Sequence, residues 1–128
     1  MEWSELYTLG VPEMDATHQE FVAAVTAAAT ADDEALPARF DALIAHTEQH
    51  FARERQWMLA QGFAPDHCHM GEHDRVEKLL KAVRARITEA QDFALARRVL
   101  AEMAPWFDQH AATMDAPLAH YLKEAAKG

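Results

Sequence analysis

Apolar residues recur along this chain at the three- and four-residue intervals of an α-helix, and no segment alternates with the period of two that marks a half-buried strand. A first stripe, Met14, His18, Phe21, Val25 and Ala28, predicts a helix from about Glu13 to Ala31, stopped by Asp32-Asp33-Glu34. A second begins near Pro37, a residue suited to a first helical turn. It ends at Gln61-Gly62, where glycine accepts a left-handed closing conformation. The third starts after Pro65-Asp66 and reads His69, His73, Val76, Leu80, Val83, Ile87, an alternation of fours and threes. Asp92 is placed to cap the fourth, whose stripe is Phe93, Ala96, Leu100, Met103, Phe107, His110 and Met114. Residues 1–12 form an irregular N-terminal arm, and Leu118 to Lys127 a short helical tail after Pro117. Short connections make consecutive helices antiparallel. The pattern predicts an all-α fold, an up-down-up-down four-helix bundle in one domain over residues 1–128.

Composition strengthens this reading. Of 128 residues, 27 are alanine, the best helix former, and half are hydrophobic, enough for a sizeable core. Acids outnumber bases 21 to 12, and a net charge of −9 argues against nucleic acid and anionic membrane as partners. Arg84, Arg86, Arg97 and Arg98 read as a solvated face paired with surrounding acids. The acidic start, Met1-Glu2-Trp3-Ser4-Glu5, lacks the features of a signal peptide. No window has the ~18 apolar residues of a membrane span. With Cys68 the single cysteine, no intrachain disulfide forms. The expected location is cytoplasmic.

The stripes contain residues that do not belong in an apolar core: His18, His50 and Glu54, His69 and His73, and His110, with Asp115 five residues beyond. Left buried and unpaired, each would cost on the order of a few kcal/mol. At about 100° per residue, positions four apart lie one turn apart on nearly the same face. His50/Glu54 and His69/His73 therefore each aim two donors at one volume, a metal-binding spacing. At ~1.5 Å rise per residue, all these donors fall in the same half of an up-down bundle. Asp115 is the exception, since five residues turn it about 140° from His110. Pro117 disfavours helix at Ala116, and the expectation is that the helix unwinds there and swings Asp115 inward. Pro105, five residues before His110, is expected to bend the fourth helix and displace Trp106 and Phe107.

Five imidazoles and two carboxylates exceed what one tetrahedral zinc takes. They divide over two octahedral metals with both carboxylates bridging, and mixed imidazole–carboxylate ligation suits iron or manganese. A three-to-two split of the histidines leaves one metal an open position for a small molecule.

These residues resemble the hemerythrins, specifically the single-domain bacterial type. The matching elements are Asp15-x-x-His18, His46-Thr47-x-x-His50-Phe51-x-x-Glu54, His69-x-x-x-His73, and Trp106-Phe107-x-x-His110-x-x-x-x-Asp115, together with the arm from Trp3 to Pro12. The resemblance spans nearly the whole chain. It implies two non-haem irons, one held by His69, His73 and His110, the other by His18 and His50. Glu54 and Asp115 would bridge them beside a solvent-derived oxo or hydroxo group. It implies reversible O2 binding at the two-histidine iron, with NO, azide and peroxide as further small ligands, and so an oxygen-binding protein rather than an enzyme. Reversibility needs a dry pocket. Phe21, Phe51, Trp57, Met58, Trp106, Phe107 and Met114, each within a turn of a proposed ligand, are the expected lining. Two other readings of the same donor set are a di-iron peroxidase or NO-reacting enzyme and an O2 or redox sensor module. His46, His67, His120 and Cys68 are assigned no ligand role; His67 reads as a helix-start residue.

Overall fold

Four long helices form in the computed structural model, which describes residues 1–127: α1 (Pro12–Ala29), α2 (Leu36–Ala60), α3 (Cys68–Ala90) and α4 (Phe93–His110). Each starts where the chain offers a local reason. Pro12 and Pro37 sit in the first turns of α1 and α2, where a missing N–H costs nothing. The imidazole of His67 accepts the His69 N–H at 3.1 Å and caps α3. Asp92 caps α4 by accepting the Leu95 N–H at 3.1 Å. Between α3 and α4 the turn is closed by Gln91 in the left-handed region, at φ 50°. α1 packs on α2 and α4, and α3 packs on α2 and α4, so the four helices close into a ring.

The interior has two apolar clusters. The larger, which includes Val25, Leu43, Leu80, Val83 and Leu100, fills the end where α1 joins α2 and α3 joins α4. The smaller, Met14, Met58, Met70, Leu118 and Ala119, fills the opposite end. The buried polar residues lie between them along the helices. No helix among the described residues is long and apolar enough to cross a membrane.

The C-terminal segment departs from expectation. α4 does not unwind at Ala116 but widens into a π-helical turn, Ala111–Asp115, and continues as α5, Ala116–Ala126. Backbone angles stay helical throughout, with φ/ψ of −62°/−44° at Ala111 and −70°/−39° at Asp115. The Ala116 N–H bonds the Ala111 carbonyl five residues back, the register of a π-turn. Pro117 falls in the first turn of α5, where it has no N–H to lose from the shifted ladder. Pro105 likewise does not interrupt α4. It is exposed, and the carbonyl deprived of its usual partner belongs to Ala101, which is exposed as well and so open to solvent.

The arm is more ordered than an irregular lead-in. Ser4 caps a short 3-10 turn, Glu5–Tyr7, which packs against the π-helical turn and buries Tyr7. Asp15 then accepts the N–H groups of Leu9 at 2.7 Å and Gly10 at 3.2 Å. Gly10 has φ +88°, a conformation that side chains rarely adopt.

Candidate metal centre

Each of the four long helices contributes to one buried polar cluster. His18 comes from α1, His50 and Glu54 from α2, His69 and His73 from α3 and His110 from α4, all at most 4 % exposed. Asp115 reaches the same volume because of the π-turn. A wider turn brings five residues round in close to one revolution, where an α-helix would overshoot by about 140°. Its Oδ1 thus lies 3.1 Å from His110 Nε2.

The two carboxylates sort the histidines. Glu54 Oε1 lies 3.2 Å from His69 Nε2 and 3.3 Å from His73 Nε2, while Oε2 lies 2.5 Å from His50 Nε2. Asp115 Oδ1 lies 3.1 Å from both His69 and His110, while Oδ2 lies 3.1 Å from His18. One oxygen of each acid faces His69, His73 and His110; the other faces His18 and His50. Ligand atoms of Glu54, His69, His73, His110 and Asp115 lie within 4.8 Å of one another, as do those of His18, His50 and Glu54, so each set could hold a cation.

Close approach has not satisfied these groups. His18 Nε2, His69 Nε2, Glu54 Oε1 and both Asp115 oxygens are buried without a hydrogen-bond partner. Orphaned polar atoms cost about 1–3 kcal/mol each, and more when charged. Inward-facing lone pairs in that number fit divalent cations.

Electrostatics agree. Burial and Asp115 push the Glu54 carboxyl up, but His50 and His69 outweigh them and hold it below its usual range. Burial likewise raises Asp115, yet His110, His18 and His69 keep it well below. His69 is pulled down by burial and held up, at about 9, by the Asp115 and Glu54 carboxylates 3.1 and 3.2 Å away. Burial dominates at His73, which is lowered.

Surrounding groups fix the rings. His18 Nδ1 bonds the Tyr7 carbonyl at 2.8 Å, turning Nε2 inward. Phe51 stacks on His73 at 3.7 Å with parallel rings. Trp106 stacks on His110 at 4.6 Å and donates its indole N–H to Glu72 at 2.7 Å. Bonds from Arg75 hold the Glu72 carboxyl down at about 2. Phe107 meets His18 edge-on at 5.0 Å, and Phe21 meets His50 at 6.4 Å.

The remaining expected lining residues are placed differently. Met58 is buried in the end cluster, and half-buried Trp57 packs on that cluster and lines an outer groove with Val11, Arg53 and Leu122. Met114 borders two surface cavities, one reaching His110 and the other His69. Tyr7, Glu72 and Arg75 escape the sequence reading. Tyr7 acts through its backbone, which leaves no side-chain signature. Glu72 offered one signal, its position beside His73 on α3.

Comparison with known proteins accords with this centre. A bacteriohemerythrin of Ralstonia nicotianae is 42 % identical over 124 residues, covering 97 % of this chain and 90 % of that protein. No solved structure matches the chain. The family model described as the hemerythrin HHE cation binding domain matches residues 9–122, which take in all seven cluster residues. The chain belongs to the hemerythrin family.

Proposed function

We propose that this protein binds O2 reversibly at two irons in the buried cluster, as a cytoplasmic binding protein rather than an enzyme. His69, His73 and His110 would hold one iron and His18 and His50 the other. Glu54 and Asp115 would bridge them beside a solvent-derived oxo or hydroxo group. The observation that carries the reading is the division of carboxylate oxygens, one of each acid toward three histidines and one toward two. That 3:2 division leaves the two-histidine side a ligand short, the place for a small molecule such as O2. Two ferrous ions there would supply the electrons that O2 takes up and gives back.

The chain's own residues account for reversibility. Phe21, Phe51, Phe107 and Trp106 pack against the cluster rings and limit the approach of water, which would otherwise deliver protons. Tyr7 is buried nearby, but its hydroxyl donates to Asp108. Burial and that carboxylate push its pKa up to about 12, so the phenol keeps its proton. His18 is held as the Nδ1–H tautomer by the Tyr7 carbonyl, leaving Nε2 free to ligate.

The test is to load the protein with ferrous iron without oxygen, count iron per chain, and record visible spectra while O2 is added and removed. Two irons per chain and a charge-transfer band that comes and goes with O2 are expected. Immediate conversion to a stable diferric spectrum overturns the reading and moves peroxidase or sensor chemistry to the front.

A further inference from the structure

Thioether sulfur is distributed unevenly in this core. Of the five buried residues in the end cluster, three are methionines, Met14, Met58 and Met70; of the eighteen in the main cluster, one is, Met103. The three lie close to the polar cluster in the chain. Met14 precedes His18 by a turn, Met58 follows Glu54 by a turn, and Met70 is next to His69. Methionine packs irregular gaps well, but its sulfur is also the most readily oxidised apolar atom available.

Met70 differs from the other two. Its Sδ lies 3.4 Å from Arg55 Nη1, which donates to it. It also lines a cavity of about 300 Å³ together with Phe51, Arg55 and His73. A small molecule in that cavity has both a cluster histidine and a thioether in the walls around it. Met14 and Met58 are fully buried in an apolar cluster, where an added oxygen would be left without a donor. At Met70 the donor is already in place.

We infer that Met70 is an oxygen-atom acceptor for hydrogen peroxide leaving the cluster, and that Arg55 holds the product. The source of peroxide rests on the O2-binding reading above, through the occasions on which protons reach the site and O2 is not given back; the chemistry of Met70 does not. The sulfur lone pair attacks one peroxide oxygen, an S–O bond forms and the O–O bond breaks. The proton on the transferred oxygen passes to the departing hydroxide, which leaves as water. Sulfur loses two electrons and peroxide gains them, giving methionine sulfoxide and water. The sulfoxide oxygen is a stronger acceptor than the thioether and takes up the Arg55 N–H. Because sulfoxide is enzymatically reducible, the device is renewable.

The experiment has two arms, both on the full chain and both read by mass spectrometry of tryptic peptides. Metal-free protein is treated with less than one equivalent of hydrogen peroxide. Iron-loaded protein is cycled between reductant and O2 with catalase present to destroy peroxide in bulk solution. Met70 sulfoxide is expected in both arms, at roughly ten times the level at Met14, Met58 or Met103. In Arg55→Ala the oxidised form is expected to melt below the reduced form by more than it does in the parent chain. Met70 left unmodified in both arms, while Met1 and Met114 are oxidised, overturns the inference even if O2 binds reversibly. Met70 sulfoxide with added peroxide alone upholds the thioether chemistry and overturns the cluster as the peroxide source.

Discussion

Removing one residue from the π-helical turn tests how Asp115 comes to face His110. In a uniform α-helix a spacing of five leaves the two about 140° apart, whereas a spacing of four leaves about 40°. Deleting exposed Ala112 therefore lets the turn close as an ordinary α-helix with the carboxylate, Leu118 and Ala119 still facing inward. The cost falls on Pro117, which enters a continuous α-helix and meets the carbonyl four residues back, about 3 kcal/mol. At roughly 2.1 cal/mol/K of unfolding entropy per residue, that lowers Tm by about 10 °C for a chain of 128 residues. Adding Pro117→Ala to the deletion removes the clash and restores most of the loss. Deleting exposed Ala101 is the contrast. It rotates everything beyond by about 100°, taking Met103, Phe107, His110, Asp115 and Leu118 off the buried face. The three apolar members alone contribute about 1.5–3 kcal/mol each. Together they amount to much of a whole-domain stability of about 5–15 kcal/mol, so that chain melts well below the Ala112 deletion. Far-UV circular dichroism melts and bound iron per chain read the outcome. Equal damage from the two deletions refutes the register argument, as does loss of iron from a well-folded Ala112 deletion carrying Pro117→Ala.

Three further outcomes are expected. Trp106→Phe keeps a ring over His110 but removes the N–H donated to part-exposed Glu72, costing about 1 kcal/mol, and an unchanged thermal melt contradicts that bond's contribution. Phe51→Ala removes a buried ring and the surface stacked on His73, costing about 3–5 kcal/mol in urea unfolding, and a loss under 1 kcal/mol refutes the packing. In metal-free protein His69 is raised from 6.5 to about 9, so its contribution is complete below about pH 6.5 and is lost as pH rises through 9. The Tm of metal-free protein should accordingly fall between pH 7 and 9.5 by more than it does in His69→Gln, and equal slopes count against the assignment.

Helix positions were legible because each stripe keeps the α-helical period and each boundary has local punctuation, as with Pro37, Gly62 and Asp92. The polar cluster was legible for the same reason, since histidines at stripe positions must face inward. Asp115 was only half legible. Its spacing of five signalled an irregularity, but periodicity alone does not separate an unwound helix from a widened one. The same angular arithmetic explains the lining. Met58, four residues from Glu54, faces the interior, while Trp57, three away, turns to an outer groove. Phe51 lies about 100° from His50 and so reaches across to His73 on α3. Tyr7 and Glu72 act across the tertiary structure, through a carbonyl and through an indole, and local pattern does not encode such partners.

The bond from His18 to the Tyr7 carbonyl bears on how this chain can drift in sequence. A backbone acceptor survives any substitution at its own position that leaves the arm's path unchanged, so the tautomer of His18 constrains the side chain at residue 7 only through its share in holding the arm. The demand moves to whatever fixes that path: the Asp15 carboxylate gripping the N–H groups of Leu9 and Gly10, the glycine that allows the turn, and the buried Tyr7 ring tied to Asp108. Mutational sensitivity is thereby displaced from the atom that touches the cluster to groups that do not. A substitution scan of the arm would trace the outline of the site at Gly10 and Asp15 as well as at residue 7, whose buried ring and bond to Asp108 help to seat the arm.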